Sequence, residues 1–187
     1  MTGAAAWEAL LLGFSPAFTA ASLPLFQQLA SAWVLCVGRR VVTRIYQVAE
    51  PMGHRAHDAY HRFLREGAWL TSDLWKLLAL KLVGTFYADG TIPLDIDDTL
   101  FHKSGRKIRG AAWWRDAVRS TGQKVVHAFG LNLLVLTLRV KPPWGGEPLG
   151  LPINMRLHRK GGPGLLDLAK EMMREVDTWF PDRHFHL

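Results

Sequence analysis

The ten residues Ile92-Pro93-Leu94-Asp95-Ile96-Asp97-Asp98-Thr99-Leu100-Phe101 mark the point where this chain changes character. Ile92, Leu94 and Ile96 alternate with Pro93, Asp95 and Asp97, which predicts a period-2 strand with one apolar and one acidic face. Three carboxylates at the end of such a strand repel one another unless cations neutralise them. Oxygen ligands at that density suit Mg²⁺, which takes one or two carboxylates plus phosphate and water. An acidic turn that simply closes the strand is the plain alternative.

Upstream of the acidic strand, residues 1–89 read as helical. Trp33, Val37, Val41, Ile45 and Val48 recur at helical spacing with Arg39, Arg40 and Arg44 between them, and Glu50-Pro51-Met52-Gly53 ends that helix. Further helices are expected over His54–Arg65 and Asp73–Phe86, the second capped by Thr71 or Ser72. Downstream, the 14 uncharged residues Val125–Leu138 suit a central, doubly covered strand or two consecutive strands. Leu149–Leu157 reads as another strand, with Pro152 favouring a sheet edge or a bulge. Leu165, Leu168, Met172, Val176 and Trp179 then mark an amphipathic helix, and His184–Leu187 begins a further strand. Three strands joined without a helical crossover imply an antiparallel meander. The amphipathic helix can return the chain to a parallel fourth strand.

The chain has 187 residues, 49% hydrophobic and 21% charged, with 8 Trp and a single Cys. That composition excludes a disordered tail and a disulfide scaffold. Cys36 is expected to be a buried small hydrophobe. The most apolar window, Leu23–Gly38, is shorter than a membrane span and is expected to be a buried helix. No basic residue precedes an apolar stretch at the N-terminus, so a soluble, cytoplasmic protein without a membrane partner is expected. The net charge of +7 is unevenly spread. Residues 102–124 hold seven bases (Lys103, Arg106, Lys107, Arg109, Arg115, Arg119, Lys124) against Asp116 alone, directly after the acidic triplet. Such a run is either a solvated face or a phosphate-contacting segment.

Two family resemblances compete for these residues. Asp95-Ile96-Asp97-Asp98-Thr99-Leu100 by itself resembles the first motif of haloacid-dehalogenase-like phosphohydrolases, with Asp95 as nucleophile and Asp97 as general acid. The longer run Asp97-Asp98-Thr99-Leu100-Phe101-His102-Lys103-Ser104-Gly105-Arg106-Lys107-Ile108-Arg109-Gly110 resembles the first catalytic segment of bacterial insertion-sequence transposases of the DDE superfamily. Trp113-Trp114-Arg115-Asp116-Ala117, Ser120-Thr121-Gly122 and the later Pro142–Pro152 segment share that resemblance, which extends over roughly residues 40–187.

The transposase resemblance implies an α+β/α/β chain. Residues 1–89 would be a helical N-terminal region with possible DNA binding. Residues 90–187 would be half of a ribonuclease-H-like catalytic core, a mixed sheet of three antiparallel strands, a helix and the start of a parallel fourth strand. It implies Mg²⁺- or Mn²⁺-dependent phosphoryl transfer on DNA in transposition, with two metals held by two Asp and a Glu. Asp97 is carried over as the first catalytic and metal-binding carboxylate, and Asp98 is the second choice. Partners would be the transposon ends, with a possible homo-oligomer, at the bacterial nucleoid. The family places its second Asp just past the fourth strand, where no candidate occurs up to Leu187, and no residue matches the distal Glu. A truncated and catalytically inactive fragment is therefore expected.

For DNA contact the candidates are Lys103, Arg106, Lys107, Arg109, Arg115, Arg119 and Lys124 on phosphates. Trp113 and Trp114 would either stack on an unpaired base or pack against the sheet. Arg39, Arg40 and Arg44 on one turn are candidates by their position in the family. His54, His57 and His61 share a helical spacing that could hold a metal, or are ordinary interhelical histidines. His184 and His186 are expected to be ordinary strand residues.

Overall fold

The computed structural model describes residues 2–105 and 107–187. Its helices are α1 (Gly3–Leu12), α2 (Leu23–Leu35), α3 (Val42–Ala49), α4 (His57–Glu66), α5 (Thr71–Phe86) and α6 (Leu165–Trp179), with a 3-10 turn at Ser15–Ala17. Its strands are β1 (Ile92–His102), β2 (Ala112–Arg115), β3 (His127–Val140), β4 (Leu149–His158) and β5 (Phe185–His186). Two compact units divide at Leu77/Leu78, inside α5. Among the described residues, no helix is long and apolar enough to cross a membrane.

In the first unit the expected continuous helix through Trp33 and Val48 is two helices. The chain leaves α2 at Cys36, passes Gly38 at φ +84°, and re-enters at Val42. Apolar spacing survives the gap, which is why periodicity alone hides it. Arg40 stabilises the break by donating its Nε–H to the Trp33 carbonyl at 3.0 Å, satisfying a helix-end acceptor. Arg39 and Arg40 therefore lie in the connection and Arg44 in α3, so the three do not share a turn. The Leu23–Gly38 window is not a buried helix either. Ala32 and Cys36 are buried, whereas Trp33, Val34, Leu35 and Val37 are exposed. Ala32, Cys36 and Ile45 form a small core with Leu29 and Ala49 packed on it. Thr71 and Ser72 lie within α5 rather than capping it.

Beside that core, Tyr60 of α4 is fully buried and shares its hydroxyl between Glu50 Oε1 at 2.9 Å and Gln28 Oε1 at 2.8 Å. Burial comes first among the causes that push its phenol above the ordinary range, followed by the bond to Glu50.

The second unit is built around β3, whose alternating burial reflects a sheet covered on one face. β1 runs antiparallel along one edge of β3, with Asp97 opposite Val135 and Asp98 opposite Leu134. β4 pairs antiparallel along the other edge, and the short β2 continues that edge opposite residues 127–130. β5 adds to the free side of β1 in parallel, Ile92 opposite Phe185. The meander, the helix and the parallel return thus match the order expected from the sequence, and the fold is a helical N-terminal region followed by a ribonuclease-H-like mixed sheet.

Leu168, Met172, Val176 and Trp179 of α6 are buried, in the stripe that its sequence periodicity foretells. The sheet side chains buried with them are Ile92, Leu94, Leu134, Leu136, Leu138 and Val140. Near Pro152 the β3–β4 register slips by one residue, between Leu136 and Thr137. The bulge turns the consecutive residues Ile153 and Asn154 both inward, and both are fully buried. Asn154 is satisfied there by Glu175 of α6, which also pairs with Arg156. Arg183 closes the entrance to β1 by donating to the carbonyls of Tyr87, Ala88 and Gly90.

Candidate nucleic-acid interface

The acidic cluster sits in the middle of a strand, not at its end. β1 continues five residues past Asp97, to His102, because residues 98–102 keep pairing with β3. Alternation then separates the two leading candidates. Asp95, Asp97 and Thr99 point to one face of the sheet; Leu94, Ile96 and Asp98 point to the α6 face. Both Asp97 and Asp98 are exposed. Asp97 Oδ1 accepts the Asp98 backbone N–H at 2.9 Å, which fixes its rotamer and occupies one of its oxygens.

Asp95 is already committed. Arg139 of β3 grips it in a two-pronged ion pair, Nε to Oδ2 at 2.8 Å and the second nitrogen to Oδ1. The Arg139 hydrogen bonds hold the Asp95 carboxyl below the usual range, with the charges of Arg139 and His186 adding to them. A carboxylate so engaged is a poor nucleophile, and the phosphohydrolase reading finds no support in this geometry.

Together these arrangements do not make a divalent-cation site. Asp97 and Asp98 diverge, Asp95 belongs to Arg139, and among the described residues no group of three His, Cys, Asp or Glu is placed to hold a metal. Asp97 offers one monodentate carboxylate. The histidine candidates form no such group: His57 and His61 contact each other, Nε2 to Nε2 at 3.1 Å, and His54 lies outside α4.

The basic segment is more ordered than a loop. Its fold depends on Asp116, a carboxylate only 3% exposed. Asp116 Oδ1 accepts the Arg119 backbone N–H at 3.1 Å, and Oδ2 meets His102 Nε2 at 2.9 Å and Arg119 Nε at 3.5 Å. Burial opposes the charge on Asp116, yet these donors outweigh it and hold its carboxyl below the usual range. The backbone bond from Asp116 N–H to the Val126 carbonyl, 2.8 Å, staples the two ends of the turn. The sequence marks Asp116 only as the one acid in a basic run; its partner His102 was the signal missed.

Of the expected phosphate contacts, Lys103, Lys107, Arg109, Arg115 and Lys124 are exposed. Arg119 is exposed but engaged by Asp116. Arg106 lies outside the described residues. The two tryptophans of β2 part company by strand alternation. Trp113 is 60% exposed on the Asp97 face. Trp114 is half-buried on the other face, packed on His158 with ring centroids 4.6 Å apart, and Lys160 lies over its ring.

The sequence model of one protein family, described as DDE superfamily endonuclease, matches residues 13–145. No curated protein and no solved structure matches the chain.

Proposed function

The chain belongs to the DDE superfamily endonucleases, whose substrate is DNA, and from that premise we propose that it binds DNA through residues 103–124 and presents Asp97 as the first carboxylate of the transposase site. The observation that carries this reading is a shared sheet face. Asp97, Trp113 and Arg115 alternate onto the side opposite α6, and Lys103, just past β1, lines a cavity there with Trp113, whereas Asp98 faces the α6 side. A phosphate backbone running along that face meets the cations at one end and one available carboxylate about 20 Å further on. In this reading residues 1–89 contribute recognition of the transposon ends, and the reaction served is strand cleavage and transfer in transposition of an insertion sequence.

Enzymes of this superfamily generally use divalent metal ions, Mg²⁺ or Mn²⁺ in this reading. One carboxylate cannot position two cations for in-line displacement. Residues 1–187 therefore bind DNA without cutting it, and no catalytic step is assigned to them. The test pairs binding with nicking. Purified chain is titrated against duplex DNA, then incubated with supercoiled plasmid and Mg²⁺ or Mn²⁺. The expected result is binding with no nicking. Replacing Lys103, Lys107 and Arg109 together by Gln should reduce the slope of log affinity against log salt by about 2.7. Nicking that disappears in Asp97→Asn would overturn the inactivity, and an unchanged slope would overturn the placement of the interface.

A further inference from the structure

The interface face carries a feature that phosphate binding does not require. Lys103, Phe129 and Trp113 stand in one cross-strand row. The Lys103 N–H donates to the Phe129 carbonyl at 2.9 Å, continuing the β1–β3 ladder, and Trp113 is the register partner of Phe129 on β2. Phe129 and Trp113 alternate onto the Asp97 face, with adjacent strands about 4.8 Å apart, and Lys103 lines the same cavity. These residues and Ser104 line a cavity of about 440 Å³. Phe129 meets the Trp113 ring edge-on, centroids 5.9 Å apart and planes at 60°, which braces the indole from one side. Trp113 nevertheless remains 60% exposed, and Phe101, the next residue along β1 on that face, is 46% exposed. Two large aromatics exposed side by side on one sheet face, next to a lysine, form an apolar patch of the kind that marks an interaction site.

We infer that the Lys103–Phe129–Trp113 row is a subsite for an unpaired nucleobase, with Trp113 stacking on the base and Lys103 meeting the adjoining phosphate. The ligand class is single-stranded DNA, or a strand frayed from the duplex. The cavity offers two aromatic rings to a base, and the exposed basic residues Lys103 and Arg115 match a polyanion rather than an apolar peptide. Lys103 lies six residues beyond Asp97, one past the end of β1, about 20 Å away at the strand rise. The base held here thus belongs to DNA at a distance from the phosphate nearest Asp97, and the subsite governs which strand, and how much unpaired strand, is retained. Sequence preference is not implied, because every base offers a π face.

This inference rests on the DNA-binding reading above, and the experiment separates the two. The unmodified chain is titrated with a single-stranded oligonucleotide, with the same strand carrying abasic sugars throughout, and with duplex DNA of equal length. Base-bearing single strand should bind about 10-fold more tightly than the abasic strand. In Trp113→Ala that difference should vanish, and Trp113→Phe should restore part of it. Equal affinity of the unmodified chain for base-bearing and abasic strands overturns the subsite. A Trp113→Ala chain that keeps the difference overturns it as well. Absence of binding to any of the three DNAs instead removes the parent reading.

Discussion

Replacing Leu136 by Ala should cost far more than replacing Leu133, three residues away on the same strand. Leu136 is fully buried, lying between Ile96 of β1 and Asn154 of β4 on the face covered by α6. The substitution removes three carbons, about 2.4 kcal/mol of transfer free energy at about 0.8 kcal/mol each. The site cannot collapse freely, because β1 and β4 clamp β3 from both sides, so a cavity term raises the total to about 3–4 kcal/mol. Leu133 lies on the opposite, Asp97-bearing face and is only half-buried. Its loss should cost about 1 kcal/mol, since part of its area is already in water and no closed cavity forms. Urea unfolding followed by far-UV circular dichroism measures both. With an m-value of about 1.5 kcal/mol per molar, Leu136→Ala should lower the midpoint by about 2 M and Leu133→Ala by well under 1 M. Equal shifts would mean that both faces of the sheet are covered and that Asp97 does not lie on an open side.

Other perturbations probe separate parts of the structure. Asp95 has its pKa lowered by Arg139, so this pair stabilises the fold above the unfolded carboxyl value of about 3.9 and that stability is lost as pH falls below it. Thermal unfolding between pH 6 and pH 2 should show a shallower acid loss in Asp95→Asn than in the unmodified chain, and identical profiles would contradict the pairing. Tyr60→Phe leaves the buried Glu50 oxygen and the half-buried Gln28 oxygen short of a donor and should cost about 1–3 kcal/mol by urea unfolding. A methyl group added at Gly130 collides with the Phe101 carbonyl across the β1–β3 ladder. Gly130→Ala should therefore destabilise the second unit and weaken single-strand binding more than duplex binding, whereas a neutral result would contradict the close approach.

Much of the second unit was legible because its signals are local and periodic. Ile92, Leu94 and Ile96 announce β1, and the five apolar positions from Leu165 to Trp179 announce α6. Pro152 warned of the irregularity that became the bulge at Ile153. What escaped depends on partners distant in the chain or on breaks that leave periodicity intact. Nothing near Asp95 points to Arg139, 44 residues away. The apolar spacing from Trp33 to Val48 runs straight through the gap at Gly38, so α2 and α3 read as one helix. β2 has only four residues and two adjacent tryptophans, too short for alternation to stand out in a basic run. Asp97-Asp98 looked like the end of a strand because two neighbouring acids seldom continue one. Once β1 is seen to extend to His102, the pair resolves into one residue for each face.

Binding of the DNA backbone by the basic segment sets the salt dependence of the unmodified chain's affinity for duplex DNA. Five exposed cations, Lys103, Lys107, Arg109, Arg115 and Lys124, give an expected slope of about −4.5 in log affinity against log salt. Affinity should then fall about 500-fold between 50 and 200 mM salt. A slope near zero would mean that these cations do not meet the DNA backbone.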